Sequence, residues 1–377
     1  MRKNCFFVVL LMTLFVSGIK AQALADTSAA ACLMNAVTGE LIFDKNADAR
    51  LPMASTTKIM TLITAIELSD PEELVTVPHE AVLEEGSSAY IEEGSSITMR
   101  ELFYGLMLNS GNDAAVAIAC HISGSEAAFA EEMNRKAREI GAADTHFMNA
   151  NGLDEDGHYT TARDLAKITR YALGDPLFCE IVATRVHTTS FVRANGEPRS
   201  FDYINHNKLL GSLEGCIGVK TGYTKTDGRC LVSATDRDGT RFIAVTLNCP
   251  GDWEAHRELH EYAFANTRVV NAVKAGDCIK YAQSGGKYCR LVAETDFNVP
   301  VTGERGRNFE LKTNLPPLIF MPLNANEKIG EIEIYDGDDR IGKVNVIAES
   351  DFMPGQVAVV RTNFWYLLLR IIKSILI

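Results

Sequence analysis

The spacing of apolar residues changes character several times along the chain. It opens with CFFVVLLMTLFV at residues 5–16, behind Arg2 and Lys3 and ahead of the small residues Ala21, Ala23 and Ala25. A positive start, a short apolar core and small residues at the exit predict a secretory signal peptide over residues 1–25, cut after Ala23 or Ala25. The 12-residue run falls short of the ~20 residues that span a bilayer. Next, AAACLM and NAVTGELIF predict two short strands around a turn at Asn35–Gly39. KIMTLITAIELSD places Ile59, Leu62, Ile63 and Ile66 at helical spacing. TMRELFYGLMLNSGNDAAVAIACHISG holds two helical patterns broken at Asn109–Asn112. AAFAEEMNRKAREIGA is amphipathic and stops at Gly141, and TTARDLAKITRYAL starts with the capping pair Thr161 and Asp164.

The period then shortens. GCIGVKTGY and RCLVSATDRDGTRFIAVTLNC predict three strands, the last two joined through Asp238-Gly239. DWEAHRELHEYAFAN returns to a helix. From about residue 272, short alternating segments cut by Gly, Pro, Asn and Asp predict an all-β module. The expected organisation is an α/β (α+β) body with an antiparallel sheet and a helical part over 26–271. A small all-β domain over 272–360 and a tail over 361–377 complete it. In the tail, FWYLLLRIIKSILI sets Asn363, Arg370, Lys373 and Ser374 on one stripe, with Trp365 and Tyr366 nearby. Fourteen residues at about 1.5 Å each do not cross a bilayer core. A cationic stripe beside aromatic residues predicts an amphipathic helix lying on a membrane surface.

Composition adds few constraints. The 377 residues are 46% hydrophobic and 23% charged, a globular balance that suggests two or three domains. The net charge of −12 conceals a more acidic body, because residues 1–25 and 361–377 each carry three positive charges and no negative one. A body this acidic argues against nucleic-acid binding. Eight of the nine cysteines lie beyond the signal; their spacings are wide and contain no CxxC, so neither a zinc site nor a redox pair is indicated. Cys120 and Cys249 sit in apolar segments, as buried free thiols do. His256 and His260 stand four apart, but Arg257 occupies the position where a zinc peptidase carries glutamate. They are read as a pair on a surface helix, and no metal or cofactor is expected.

The chemistry concentrates in MASTTKIM. Ser-x-x-Lys occurs three times, at Ser17–Lys20, Ser55–Lys58 and Ser284–Lys287, but only the second opens an apolar helix. There the spacing stacks both side chains on one face. A serine hydroxyl needs an adjacent base, and lysine serves only when burial and a second cation favour its neutral form. The chain supplies the rest in order: Ser110-Gly111-Asn112 is its only Ser-x-Asn, between two helical patterns, and Lys220-Thr221-Gly222 its only Lys-Thr-Gly, on a strand. Together these are the motif set of penicillin-binding proteins and class A β-lactamases.

With these motifs, NANGLDEDGHYTTARDLA at 149–166 and GCIGVKTGYT at 215–224, the sequence resembles the low-molecular-mass penicillin-binding proteins that act as serine-type D-alanyl-D-alanine carboxypeptidases. The resemblance implies a serine transpeptidase/β-lactamase-like body and an exported, tail-anchored layout on the outer face of the cytoplasmic membrane. It implies Ser55 as nucleophile, Lys58 as base and Ser110 as proton relay. Asn112, Lys220, Thr221, Gly222 and Tyr223 would bind substrate, with the Ser55 and Tyr223 backbone N–H groups forming an oxyanion hole. Peptidoglycan stem peptides ending in D-Ala-D-Ala would be the substrate and β-lactams the inhibitors. One departure is His206 in INHNKLL, where the family often carries Thr or Arg; a plain loop role is expected. Three alternatives stand beside this reading. A DD-endopeptidase would share every motif. A β-lactamase would need a Glu-x-x-x-Asn segment, which does not occur between Asn112 and Lys220. A non-catalytic wall-binding scaffold would have no need of three intact motifs.

Overall fold

The computed structural model describes residues 24–362, except 285, 304–308, 321 and 354–357. The expected signal core and the amphipathic tail beyond Thr362 lie outside the described residues. The body opens with β1 (Ala30–Asn35) and β2 (Leu41–Lys45), then a tight 3-10 turn at Ala54–Thr57 that runs into α1 (Lys58–Leu68). β3 (Leu74–Thr76), the short α2 (His79–Val82) and β4 (Ser96–Thr98) lead to α3 (Met99–Leu108), α4 (Asn112–Ser123) and α5 (Glu126–Ile140). After α6 (Ala162–Ala172) and α7 (Pro176–Ala183) comes a hairpin of β5 (Val186–Val192) and β6 (Pro198–Ile204). β7 (Cys216–Thr224), β8 (Gly228–Arg237), β9 (Thr240–Leu247) and α8 (Asp252–Ala265) close the body.

The main sheet is antiparallel in the order β2-β1-β9-β8-β7. Its inner strands are buried on both faces, which is why β8 and β9 read as near-continuous apolar runs. Helix α8 covers one face through a cluster that includes Leu33, Phe242 and Leu259. The helices cover the other, with Leu62, Phe103, Ile118 and Ile168 in one core. α1 runs through the middle of this layer, and every residue from Lys58 to Ala65 is buried.

Local signals set the helix ends. The Thr161 hydroxyl accepts from the Asp164 N–H, the cap expected from the sequence, and the Ser125 hydroxyl accepts from the Ala128 N–H at the start of α5. Gly141 closes α5 at φ +81°, a conformation that costs glycine least. The sequence pattern left β5 and β6 unassigned. They complete a second sheet, β3-β4-β5-β6, beside the helical part.

One expectation needs correcting. His256 and His260 are fully buried, not on a surface face. They point from α8 into the sheet, where Ser233 Oγ lies 2.6 Å from His256 Nδ1 and 2.8 Å from His260 Nε2. Thr246 and Thr235 hydroxyls meet the remaining ring nitrogens at 3.0 and 2.8 Å. Neutral imidazoles bury at little cost when both nitrogens are satisfied, and burial holds both well below the usual histidine range.

Beyond α8 the regular elements among the described residues are all strands, from β10 (Thr267–Val273), β11 (Cys278–Ser284), β12 (Lys287–Ala293) and β13 (Phe297–Thr302) to β14 (Glu310–Asn314) and β15 (Leu318–Ile319). β16 (Lys328–Asp336), β17 (Asp339–Ala348) and β18 (Ala358–Thr362) follow. β10 pairs with β13, and the rest form one sheet around a separate core that includes Leu291, Ile332 and Val346. None of the eight described cysteines is in a disulfide; Cys249 is buried and Cys120 half-buried. Among the described residues, no helix is long and apolar enough to cross a membrane, and no group of three or more His, Cys, Asp or Glu residues is placed to hold a metal ion.

Candidate active site

Ser55 sits in the 3-10 turn that starts α1, and Lys58 is the first residue of that helix. The spacing expected from sequence is realised: Lys58 Nζ lies 2.9 Å from Ser55 Oγ. The same nitrogen donates to Asn112 Oδ1 at 2.7 Å and to the Asn151 carbonyl. Lys58 has no exposed surface. Burial, followed by repulsion from Lys220, pushes its amine well below the usual lysine range, against weaker pulls from Asp113, Glu126 and Glu84.

Asn112 Oδ1 and the Asn151 carbonyl accept two of the amine's N–H groups. The remaining direction of the nitrogen faces Ser55 Oγ, with an N–H when the amine is charged and a lone pair when it is neutral.

The second motif is the turn between α3 and α4. Ser110 is buried and left-handed at φ +59°, a conformation uncommon outside glycine. Two anchors hold this turn: Gly111 N–H donates to the Gly105 carbonyl and Asn112 N–H to the Ser87 carbonyl. Asn112 Nδ2 donates to the Glu85 carbonyl. Asp113 ties the facing loop down, accepting from the Ser88 hydroxyl at 2.6 Å and the Ala89 N–H at 2.7 Å.

The third motif lies on β7, which packs against the Ser55 turn. A Cβ on Gly222 would stand 3.0 Å from the Ser55 nitrogen; glycine permits this close approach. Lys220 is buried and donates to the Thr221 carbonyl at 2.9 Å. Burial lowers its amine to about 7. Thr221 is half-buried and Tyr223 exposed. His206 is half-buried, and its ring is held below its usual range by burial and by the charge of Lys220. Its loop therefore faces the third motif.

Several participants escaped the sequence reading. Asn151 supplies the second acceptor for Lys58, and its side chain donates to both Glu84 and Glu126 at 3.1 Å. Burial raises both carboxyls above the usual range. His158 accepts the Met148 N–H at Nδ1, so Nε2 carries the hydrogen and donates to Thr57 Oγ1 at 2.8 Å. Thr57 in turn donates to the Ala54 carbonyl. Asp227 accepts the Ala54 N–H. The segment NANGLDEDGH that holds Asn151 and His158 was visible as a whole, but nothing in it marked which atoms reach the site.

Comparison with known proteins agrees with this geometry. A family profile described as D-alanyl-D-alanine carboxypeptidase, Peptidase_S11, matches residues 18–251, and one for the penicillin-binding protein 5 C-terminal domain matches residues 268–353. D-alanyl-D-alanine carboxypeptidase DacF of Bacillus subtilis is 28% identical over 89% of this chain and 88% of its own length. DacA of Escherichia coli is 30% identical over 78% of this chain and 76% of its own. Among solved structures, the Streptomyces DD-transpeptidase superposes with a TM-score of 0.61 at 33% identity, covering 63% of this chain and 97% of that one. DacD of Francisella tularensis gives 0.61 at 25% identity over 89% and 94%. The first profile alone spans well over half of the sequence, and the protein belongs to the D-alanyl-D-alanine carboxypeptidase family, Peptidase_S11.

Proposed function

We propose that the protein is a serine-type D-Ala-D-Ala carboxypeptidase that removes the terminal D-alanine from peptidoglycan stem peptides and is acylated by β-lactams. The observation that carries this reading is the buried Lys58 amine, 2.9 Å from Ser55 Oγ and bonded to Asn112 Oδ1 and the Asn151 carbonyl.

Ser55 Oγ attacks the carbonyl carbon of the D-Ala–D-Ala bond while its proton passes to Lys58. The oxyanion is received by the backbone N–H groups of Ser55 and Tyr223; one such fixed donor is worth roughly 3–4 kcal/mol in the transition state. Collapse breaks the C–N bond, and the proton held by Lys58 reaches the leaving amine through Ser110. Asn112 holds the substrate amide. Lys220 and Thr221 receive the terminal carboxylate, and Gly222 keeps β7 close enough for the substrate to lie along it. Water, deprotonated by Lys58, then attacks the ester and releases the shortened peptide and free Ser55. No cofactor enters any step.

The same reading places the chain in the cell envelope, exported and held to the membrane surface through residues 361–377. Leu24 and Ala25 are buried in the core cluster beneath α8, which supports signal cleavage after Ala23 and not after Ala25.

The test is incubation of a defined pentapeptide muropeptide with the wild-type chain and with Ser55→Ala, read by mass spectrometry. Loss of one alanine, abolished in a folded Ser55→Ala protein, is expected. An unchanged muropeptide, or loss that persists without Ser55, rejects the reading; separation of crosslinked dimers instead indicates endopeptidase action.

A further inference from the structure

The turn bearing Ser55 is held by a carboxyl group that the reaction itself does not use. Asp227 is 3% exposed. Its Oδ2 accepts the N–H of Ala54, the residue before the nucleophile, at 2.9 Å. Asp227 also belongs to the turn between β7 and β8, where its own N–H donates to Thr224 Oγ1 at 2.9 Å. One side chain thus ties the Ser55 turn to the end of the Lys-Thr-Gly strand. These two segments carry the backbone N–H groups of Ser55 and Tyr223.

Ala54 needs such a hold. Its φ is +48°, in the left-handed region that an alanine avoids. Strained backbone persists only where its surroundings over-determine it. The Ala54 carbonyl is fixed from the other side by Thr57 Oγ1 at 2.9 Å, itself bonded to His158. Asp227 fixes the nitrogen.

The second oxygen of Asp227 identifies a third element. Oδ1 is buried with no N–H or O–H partner, and the neighbouring Asp154 carboxyl favours the protonated form of the group. A proton held on Asp227 makes it a donor toward Asp154. Asp154 also receives the Thr224 and Thr226 side chains, which favour its ionised form. The proton therefore rests on Asp227, whose carboxyl is raised to about 6 by burial and by Asp154. The other titratable groups near it are His158, Glu155 and Asp156 from the loop that carries Asp154 and Cys230 from β8. His158 is neutral, lowered to about 4 mainly by burial. Burial raises the Cys230 thiol to about 12, so it too is neutral near pH 6.

We propose that Asp227 is a positioning residue for acylation: its carboxyl, accepting the Ala54 N–H, locks the Ser55 turn to the end of β7 and so sets the spacing of the two oxyanion donors. This deepens the carboxypeptidase reading and rests on it. It also implies a pH response. Above about pH 6 the proton held on Asp227 leaves, the two carboxylates repel, and the turn loosens.

Asp227→Asn separates the two roles of the group. An asparagine keeps an oxygen for the Ala54 N–H and presents a permanent N–H to Asp154, imitating the protonated acid. Asp227→Ala removes both. Wild type and the two variants, as full chains, are mixed with a fluorescent penicillin between pH 5 and 8. The limiting acylation rate and the apparent binding constant are separated by varying penicillin concentration, and melting temperatures are recorded alongside. Asp227→Ala is expected to lose about 10- to 100-fold in limiting acylation rate, with little change in the binding constant. Asp227→Asn is expected to stay within about threefold of wild type at pH 5 and to lack the wild-type decline above pH 6 that this pair causes. Acylation of Asp227→Ala at the wild-type rate overturns the proposal, and so does Asp227→Asn behaving like Asp227→Ala. Should the alanine variant not fold, the pH profile of Asp227→Asn decides alone, and a profile matching wild type overturns the proton held on Asp227. A wild-type chain left unlabelled at Ser55 rejects the carboxypeptidase reading itself; a labelled wild type with an indifferent Asp227→Ala rejects only this inference.

Discussion

The Asn112 amide oxygen accepts from Lys58 Nζ at 2.7 Å, so the second motif touches the proposed base directly. Asn112→Ala removes one of the two acceptors that orient the amine. The amine is then free to swing away from Ser55. The limiting acylation rate should fall about 10- to 100-fold, and penicillin affinity should weaken as well. A rate unchanged within twofold would show that the Asn151 carbonyl alone orients the base.

Lys58→Met tests the base itself. Methionine is unbranched like lysine and one atom shorter, so it fills the space of the stem without bringing a charge into a site with no exposed surface. Acylation should slow by about 10²- to 10⁴-fold, the span of general base catalysis, while circular dichroism stays native. Penicillin labelling near the wild-type rate would remove Lys58 from the mechanism.

The pH dependence of substrate capture should carry the signature of Lys220. Its amine is lowered to about 7, so the positive charge proposed to receive the terminal carboxylate fades as pH rises through 7. KM for a D-Ala-D-Ala peptide is expected to climb above that point. Stability moves the other way: between about 7 and the ordinary lysine value of 10.5, the unfolded chain binds a proton that the folded chain does not. Folding therefore strengthens as pH rises through that window. A flat KM between pH 6 and 8.5 would contradict the assignment.

Gly152→Ala should harm both folding and chemistry. Gly152 has φ +89°, and a Cβ there would stand 2.2 Å from the Ala54 carbonyl oxygen. Backbone strain and clash together should cost about 2 kcal/mol or more, seen as a lower denaturation midpoint in urea. Acylation should slow through displacement of the Ser55 turn. An unchanged midpoint would mean that the 149–158 loop yields freely.

The histidine pair beneath α8 should set part of the acid limit of the fold. His260 is lowered to about 3 by burial, so from the ordinary value of 6.5 down to that point the unfolded chain takes up a proton that the folded chain refuses. Stability falls as pH drops through that window. In His260→Gln the decline between pH 6 and 4 should be shallower than in wild type, measured by urea denaturation at each pH. Equal slopes would exclude the pair as a cause.

Much of the body was legible because its signals are local. The helical spacing of Ile59, Leu62, Ile63 and Ile66, the Thr161 cap and the Asp238-Gly239 turn each depend on a few neighbouring residues. The three motifs were legible because their order is rare. Asp227 was not, since an aspartate in Lys-Thr-Asp-Gly is ordinary turn chemistry. Only the packing of the β7–β8 turn under Ala54 gives it a buried partner. The histidines of α8 were misplaced for a related reason. Their partners Ser233, Thr235 and Thr246 sit on other strands, and two polar rings four residues apart look like a solvated face until those hydroxyls are known. The β5–β6 hairpin was missed although its turn carries Asn195-Gly196, a strong hairpin pair; the exposed Val186, Val192 and Ile204 blur the alternation of polar and apolar residues along its strands.

Helix α1 is the spine of the helical core as well as the bearer of Lys58, the proposed general base, with an unbroken buried stretch from Lys58 to Ala65. Catalytic alignment and global cooperativity therefore share one piece of backbone. Heat should extinguish turnover at the melt itself and not in an earlier, separate softening of the cleft. Selection for a faster enzyme cannot slacken that segment without also eroding the fold that contains it.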